Sequence, residues 1–138
     1  MATNSDIILY STSHDSFHYL PVDQNGDKYK GDGFYGFGDG YHTVQISLTS
    51  FIGTLKIQGT LVENPQSDDW TDIALTSTSN YYVDTTGLIS ISAAPKSIVY
   101  PIAATNVKTY NFIGNFVWIR ARIENWTQGT INQILLNH

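Results

Sequence analysis

The clearest signal along this chain is a two-residue alternation of apolar and polar positions, the period of strands with one buried face. Over Thr43 to Thr49, Val44, Ile46 and Leu48 fall on one side and Thr43, Gln45, Ser47 and Thr49 on the other. Thr54 to Leu61 repeats the pattern, setting Leu55, Ile57 and Leu61 against Thr54, Lys56, Gln58 and Thr60. Phe116 to Ile123 differs in kind. Val117, Ile119, Ala121 and Ile123 give an aliphatic side, while Phe116, Trp118, Arg120 and Arg122 give a side of aromatics and guanidinium groups, so neither reads as plain solvent. Shorter runs rich in β-branched and aromatic residues at 7–10, 17–22, 73–75, 81–83, 88–91, 97–101, 107–112 and 131–136 add further strand candidates.

Turn residues punctuate these runs at Asn25-Gly26-Asp27, Gly31-Asp32-Gly33, Gly38-Asp39-Gly40, Asn64-Pro65, Thr86-Gly87, Ala94-Pro95 and Gln128-Gly129. No stretch has the capped i, i+3, i+4, i+7 stripe of a helix; at most one turn is expected, near Ser67 to Trp70 with Asp68 as its cap. Many short strands joined by tight turns predict an all-β fold: one antiparallel β-sandwich over residues 1–138, jelly-roll-like, with little or no helix. Phe51-Ile52-Gly53 and Glu63-Asn64 recur at one offset as Phe112-Ile113-Gly114 and Glu124-Asn125. So few matching positions in a strand-rich sequence read as coincidence more readily than as duplication.

Composition narrows the function. Charged residues make up 14% of the 138 positions, well below the roughly 25% of an ordinary soluble domain. Ser, Thr, Asn and Gln therefore supply much of the surface polarity, and they tolerate close packing against other proteins. A net charge of −5 with only seven scattered Lys and Arg argues against nucleic acid as a partner. Cysteine is absent, which removes disulfides and thiolate chemistry. The first residues, MATNSDIILYSTSHDS, carry no basic, apolar leader pattern, and no run approaches the ~20 apolar residues of a membrane span. Neither export nor membrane association is expected.

The chemical motifs are weak. Gly31-Asp32-Gly33-Phe34-Tyr35-Gly36 has the spacing of a dinucleotide-binding turn, but no helix is predicted after it, so it reads as an aromatic-rich loop or edge strand. Asp23, Asn25 and Asp27 alternate oxygen ligands around a glycine as a weak calcium site would, yet they also suit a plain turn and lack the bidentate Glu of a full loop. His14, His18, His42 and His138 read as surface or satisfied histidines; His14 and His18 on a strand would stand about 13 Å apart, too far for one metal. There is no Gly-x-Ser-x-Gly elbow, and two glutamates, each expected at a strand end, do not make an acid pair. No cofactor and no catalysis are expected.

Aromatics, 13% of the chain, are the most informative residues. Phe34, Tyr35, Phe37 and Tyr41 sit in a glycine-rich run with little local shielding, and Trp118, Arg120 and Arg122 share a strand face that suits a cation–π ladder. These seven are the candidate interface. Under an alternative glycan-binding reading, Tyr35, Tyr41 and Trp70 are the stacking platforms.

The segments Asn111 to Arg122 (NFIGNFVWIRAR) and Asn125 to Asn132 (NWTQGTIN) resemble small virion-associated proteins of tailed bacteriophages, particularly T4-like phages of cyanobacteria and other aquatic bacteria. Phe51 to Asp72, with Gly59-Thr60-Leu61 and Asp69-Trp70, resembles the same group. Together these cover less than half the chain, and the residues before Thr43 have no counterpart. The resemblance implies a β-sandwich structural subunit of the virion, on capsid, neck, tail or baseplate, assembled in the host cytoplasm. It would contact other virion proteins and copies of itself, and it brings no catalytic motif.

Overall fold

A computed structural model describes residues 5–14, 22–36, 38–76, 81–83, 89–91 and 95–138, the backbone alone at 81–83 and 89–91. The expected Phe37 contact, His18, the turn at Thr86-Gly87 and nearly all of the 17–22 strand fall outside these residues. The fold is antiparallel β throughout. Two strands of 20 residues, β5 (Tyr41–Thr60) and β10 (Trp118–Asn137), pair along their whole length and form the spine of an eight-stranded sheet. β9 (Ile98–Ile113) and β6 (Thr71–Asp72) pair with the far side of β5. On the far side of β10 lie β1 (Ser5–Leu9), β2 (Thr12–Ser13), β3 (Val22–Asn25) and β4 (Tyr29–Lys30). β7 (Tyr81–Val83) and β8 (Ile89–Ile91) form a separate hairpin.

A flat sheet of this length could not enclose a core. Bends near the middle of both spine strands solve this, and they are visible as parity changes. In β5 the buried positions run Val44, Ile46, Leu48 and then Phe51, Leu55, Ile57; in β10 they run Ile119, Ala121, Ile123, then Trp126, then Ile131, then Ile134 and Leu136. Each switch from odd to even, or back, needs an extra residue, and the β5–β10 register slips at those places. Ser50 (φ 51°) and Asn125 (φ 52°) occupy the left-handed region at the bends. Asn125 N–H donates to Asp23 Oδ1 at 2.9 Å, and Ser50 N–H donates to Thr105 Oγ1 at 2.9 Å. Phe51 and Trp126 meet on the inside of the fold at 6.2 Å between ring centroids.

The sheet thus doubles over, and both halves contribute to one core. The two ends of β10 come together on α1 (Asp32–Tyr35), where Phe34 lies 5.2 Å from the Trp118 ring and Tyr35 stacks on His138 at 5.5 Å. The sequence reading made this segment a loop or edge strand. It is one turn of helix, closed by Gly36 in the left-handed region (φ 74°), because Phe34 and Tyr35 each gain a ring partner by turning there. Near Ser67 to Trp70 there is a turn, with Asp69, not Asp68, accepting the Gln66 N–H at 2.7 Å. Leu61, assigned to a buried face, lies beyond the end of β5 and is exposed. The 97–101 and 107–112 candidates are parts of one strand, β9, and Gln128-Gly129 is a bulge inside β10. Phe51-Ile52-Gly53 is mid-strand while Phe112-Ile113 ends β9, so the sequence echo marks no repeated unit.

A buried polar cluster fastens the doubled ends. Asp32 Oδ1 is 2.8 Å from His138 Nδ1. His42 Nδ1 faces the Gly40 carbonyl at 2.9 Å, and Asp32 N–H donates to His42 Nε2 at 3.3 Å, which fixes His42 as the neutral Nδ1–H tautomer. Its ring stacks on Phe112 at 4.7 Å. Burial holds the His42 pKa below its ordinary value, against the pull of the Gly40 carbonyl and Asp32. Asp39 is held below the usual carboxylate range by a hydrogen bond shared with the Asp32 side chain and by the Tyr41 N–H. The reading of His42 as a satisfied histidine holds. His14 differs, with Nε2 enclosed and without a hydrogen-bond partner among the described residues, while its ring meets Trp126 edge-on.

Gly129 (φ 91°) lies where the bent strands touch, and a Cβ there would stand 2.2 Å from the Ser50 carbonyl oxygen, whereas one at Gly36 would meet nothing within 4 Å. Gly129→Ala is expected to lower unfolding free energy in urea by about 3 kcal/mol, and Gly36→Ala by about 1 kcal/mol, the left-handed penalty alone. As pH falls below 6.5, the ordinary histidine value, the unfolded chain takes up a proton that folded His42 resists, so stability is lost progressively through and below that pH. Urea midpoints measured from pH 7.5 down to 5.5, about a unit either side of the ordinary value, should decline; a flat profile would contradict a buried neutral His42.

Candidate functional site

The outward face of β10 carries Trp118, Arg120, Arg122 and Glu124, opposite Thr60, Gln58, Lys56 and Thr54 of β5. Alternation places all eight on one side of the sheet, and the register sets Arg122 directly across from Lys56. Like charges so placed repel. Glu124 resolves the conflict by taking both, with Lys56 Nζ at 2.8 Å and Arg122 Nε at 3.1 Å, while Asp72 takes Lys56 at 3.1 Å. The hydrogen bond it donates to Glu124 holds the Lys56 ammonium above its ordinary range, and the same bond, with Arg122, holds Glu124 below its own. Burial alone would raise Asp72, but hydrogen bonds from Gln58 and Lys56 hold it down. Glu124, read from sequence as a strand end, sits inside β10 and ties this network together.

The expected ladder of Trp118, Arg120 and Arg122 does not form, because each of the three side chains takes another partner. Arg120 stacks on Trp70, with its guanidinium carbon 4.3 Å from the ring centroid, and donates from Nε to Gln58 Oε1 at 2.9 Å. Lys28 Nζ lies 4.4 Å over the Trp118 ring, Lys30 Nζ lies 4.6 Å over Phe34, and the Trp118 indole N–H donates to the Glu63 carbonyl at 2.8 Å. Arg122 joins the ion pairs instead. Three cation–aromatic pairs thus run from α1 to the 61–72 segment, each worth roughly 0.5–1 kcal/mol at an exposed site. Burial, then the Arg122 charge, draws the Arg120 pKa down. Lys28 and Lys30 were missed in the sequence because nothing marks them until β4 pairs with Trp118 and Ile119.

The remaining candidates separate. Phe34 and Tyr35 are exposed on α1, 43% and 48% accessible, and Tyr41 is 65% accessible on the outward face opposite Ile113. Of the three stacking candidates, Trp70 is stacked with Arg120, Tyr35 with His138, and Tyr41 stands opposite Ile113. Asp23 and Asn25 lie on strand β3, and their oxygens are taken by Arg122, at 3.7 and 2.7 Å, and by the Asn125 N–H. A guanidinium therefore stands where the weak calcium reading placed a cation. Among the described residues, no group of three His, Asp or Glu side chains is arranged to hold a metal ion, and no helix is long and apolar enough to cross a membrane.

No protein-family model matches the chain, and no curated protein sequence matches it. Among solved structures, the fold is similar to that of the SPBc2 prophage-derived protein YomS, at 16% sequence identity and a TM-score of 0.50, covering 99% of this chain and 95% of that one. The likeness extends over the doubled sheet as a whole.

Proposed function

We propose that this chain is a non-catalytic structural component of a tailed-phage particle, acting through protein–protein contacts with copies of itself and with other particle proteins. The observation that carries this reading is β9. It has 16 residues and one charge, Lys108, and among the described residues its outer edge is met only by Thr76, at Asn111. Val99, Ile102, Val107 and Ile113 along it are 59–78% exposed. A long, neutral, apolar edge is what isolated β proteins avoid, because it templates pairing with another chain. A partner strand would pair with the open backbone groups and set its own side chains beside these.

The phage setting is supported by the fold shared with a prophage-derived protein and by the resemblance of Asn111 to Arg122 and Asn125 to Asn132 to virion proteins of T4-like phages. Capsid decoration and a neck, tail or baseplate subunit are the roles consistent with it, on a particle assembled in the host cytoplasm. Light scattering over a concentration series should give a defined oligomer for the wild type and a folded monomer for the Val107→Lys, Ile113→Lys variant. A wild-type monomer at every concentration, or an oligomer indifferent to the two lysines, would contradict assembly through β9.

A further inference from the structure

On the edge of the sheet opposite β9 there is an open cleft of about 260 Å³, lined by Asp6, Lys28, Tyr29, Lys30, Tyr35 and Trp118. We propose that it binds one carboxylate-bearing sugar unit of an acidic polysaccharide, of the uronic acid type. The inference does not depend on assembly through β9.

The chain is acidic overall, yet two of its seven basic residues converge here, and neither ammonium pairs with a carboxylate among the described residues. Both rest on aromatic rings, Lys28 over Trp118 and Lys30 over Phe34. Contact with a ring leaves an ammonium's hydrogen-bond donors largely unspent, and a ligand carboxylate would satisfy them better. As Lys28 moves onto such a carboxylate, it uncovers the indole face against which the C–H side of a sugar ring packs. The indole itself is fixed, since its N–H is committed to Glu63.

The other lining groups select the ligand. Asp6, with half of its side chain accessible, is an acceptor for sugar hydroxyls. The Tyr29 hydroxyl, its pKa raised by burial and by Tyr10, Asp27 and Asp6, stays protonated and offers both a donor and an acceptor. A phosphodiester has only acceptors to offer and leaves the Asp6 carboxylate without a donor, whereas a uronic acid brings hydroxyls that satisfy it beside the carboxylate that the lysines take. Cations, a carboxylate and phenols around one small cleft match a ligand that is both anionic and rich in hydroxyls. The volume lies just below the ~300 Å³ at which drug-sized sites begin, which suits one ring of a longer chain.

The test is a titration of the ¹⁵N-labelled full chain with a uronic acid trisaccharide, its neutral methyl ester and a trinucleotide of equal charge, read at the Trp118 indole N–H. The free acid is expected to shift that resonance saturably. The ester should bind about tenfold more weakly, and the Lys28→Gln, Lys30→Gln variant should lose about as much affinity for the acid while keeping the wild-type dispersion of its other amide resonances. An unmoved Trp118 resonance, equal binding of acid and ester, or a trinucleotide that binds as well as the uronate would each overturn the proposal. A variant that bound the uronate as the wild type does would overturn it too, by taking the two lysines out of the site.

Discussion

Contact between the backbone of Gly129 and that of Ser50 is the constraint on which the rest of this fold depends. Two 20-residue strands bend at one level of the sheet, and only a residue without a Cβ lets them approach so closely. With Phe51 and Trp126 packed on the inside, the bend converts a long ribbon into two layers with a shared interior. Without it Val44, Ile46 and Leu48 could not share a core with Ile119, Ala121 and Ile123. The hydrophobic burial that drives folding would then be only half realised.

The same bend creates the functional surfaces. By folding β10 back on itself it brings residues 118 and 138 to one place, where α1 bridges them and the Asp32, His42 and His138 cluster locks the closure. The cleft at Tyr29, Tyr35 and Trp118 exists because α1 is held there. The two edges of the doubled sheet then differ in character. The edge beside β10 is filled by four short strands and presents ring-bound cations, while the edge beside β9 is long, neutral and apolar. One edge suits a polar ligand and the other a protein strand.

Within each straight segment the sequence was legible, because the period-2 rule holds wherever a strand is unbent. Positions 44–48, 55–57 and 119–123 fall as that rule predicts. Strand length was not legible. Ser50, Gly53, Asn125 and Gly129 are turn-forming types, and a bulge inside a strand uses the same conformations as a turn between strands. Arg120 found Trp70 instead of Trp118 because the 61–72 segment folds over that face, a tertiary event with no local signature. Asp32, His42 and His138 span 106 residues, and no spacing rule announces their meeting. The exposure of Phe34, Tyr35 and Tyr41 was legible from their glycine-rich setting.

One doubled sheet brings the two ends of β10 together on α1. A two-dimensional nuclear Overhauser spectrum of the protein tests it most directly. Cross-peaks are expected linking the Phe34 and Tyr35 rings to both Trp118 and His138. Cross-strand signals between β5 and β10 along their full length, with the Trp118 and His138 rings in unconnected networks, would contradict it.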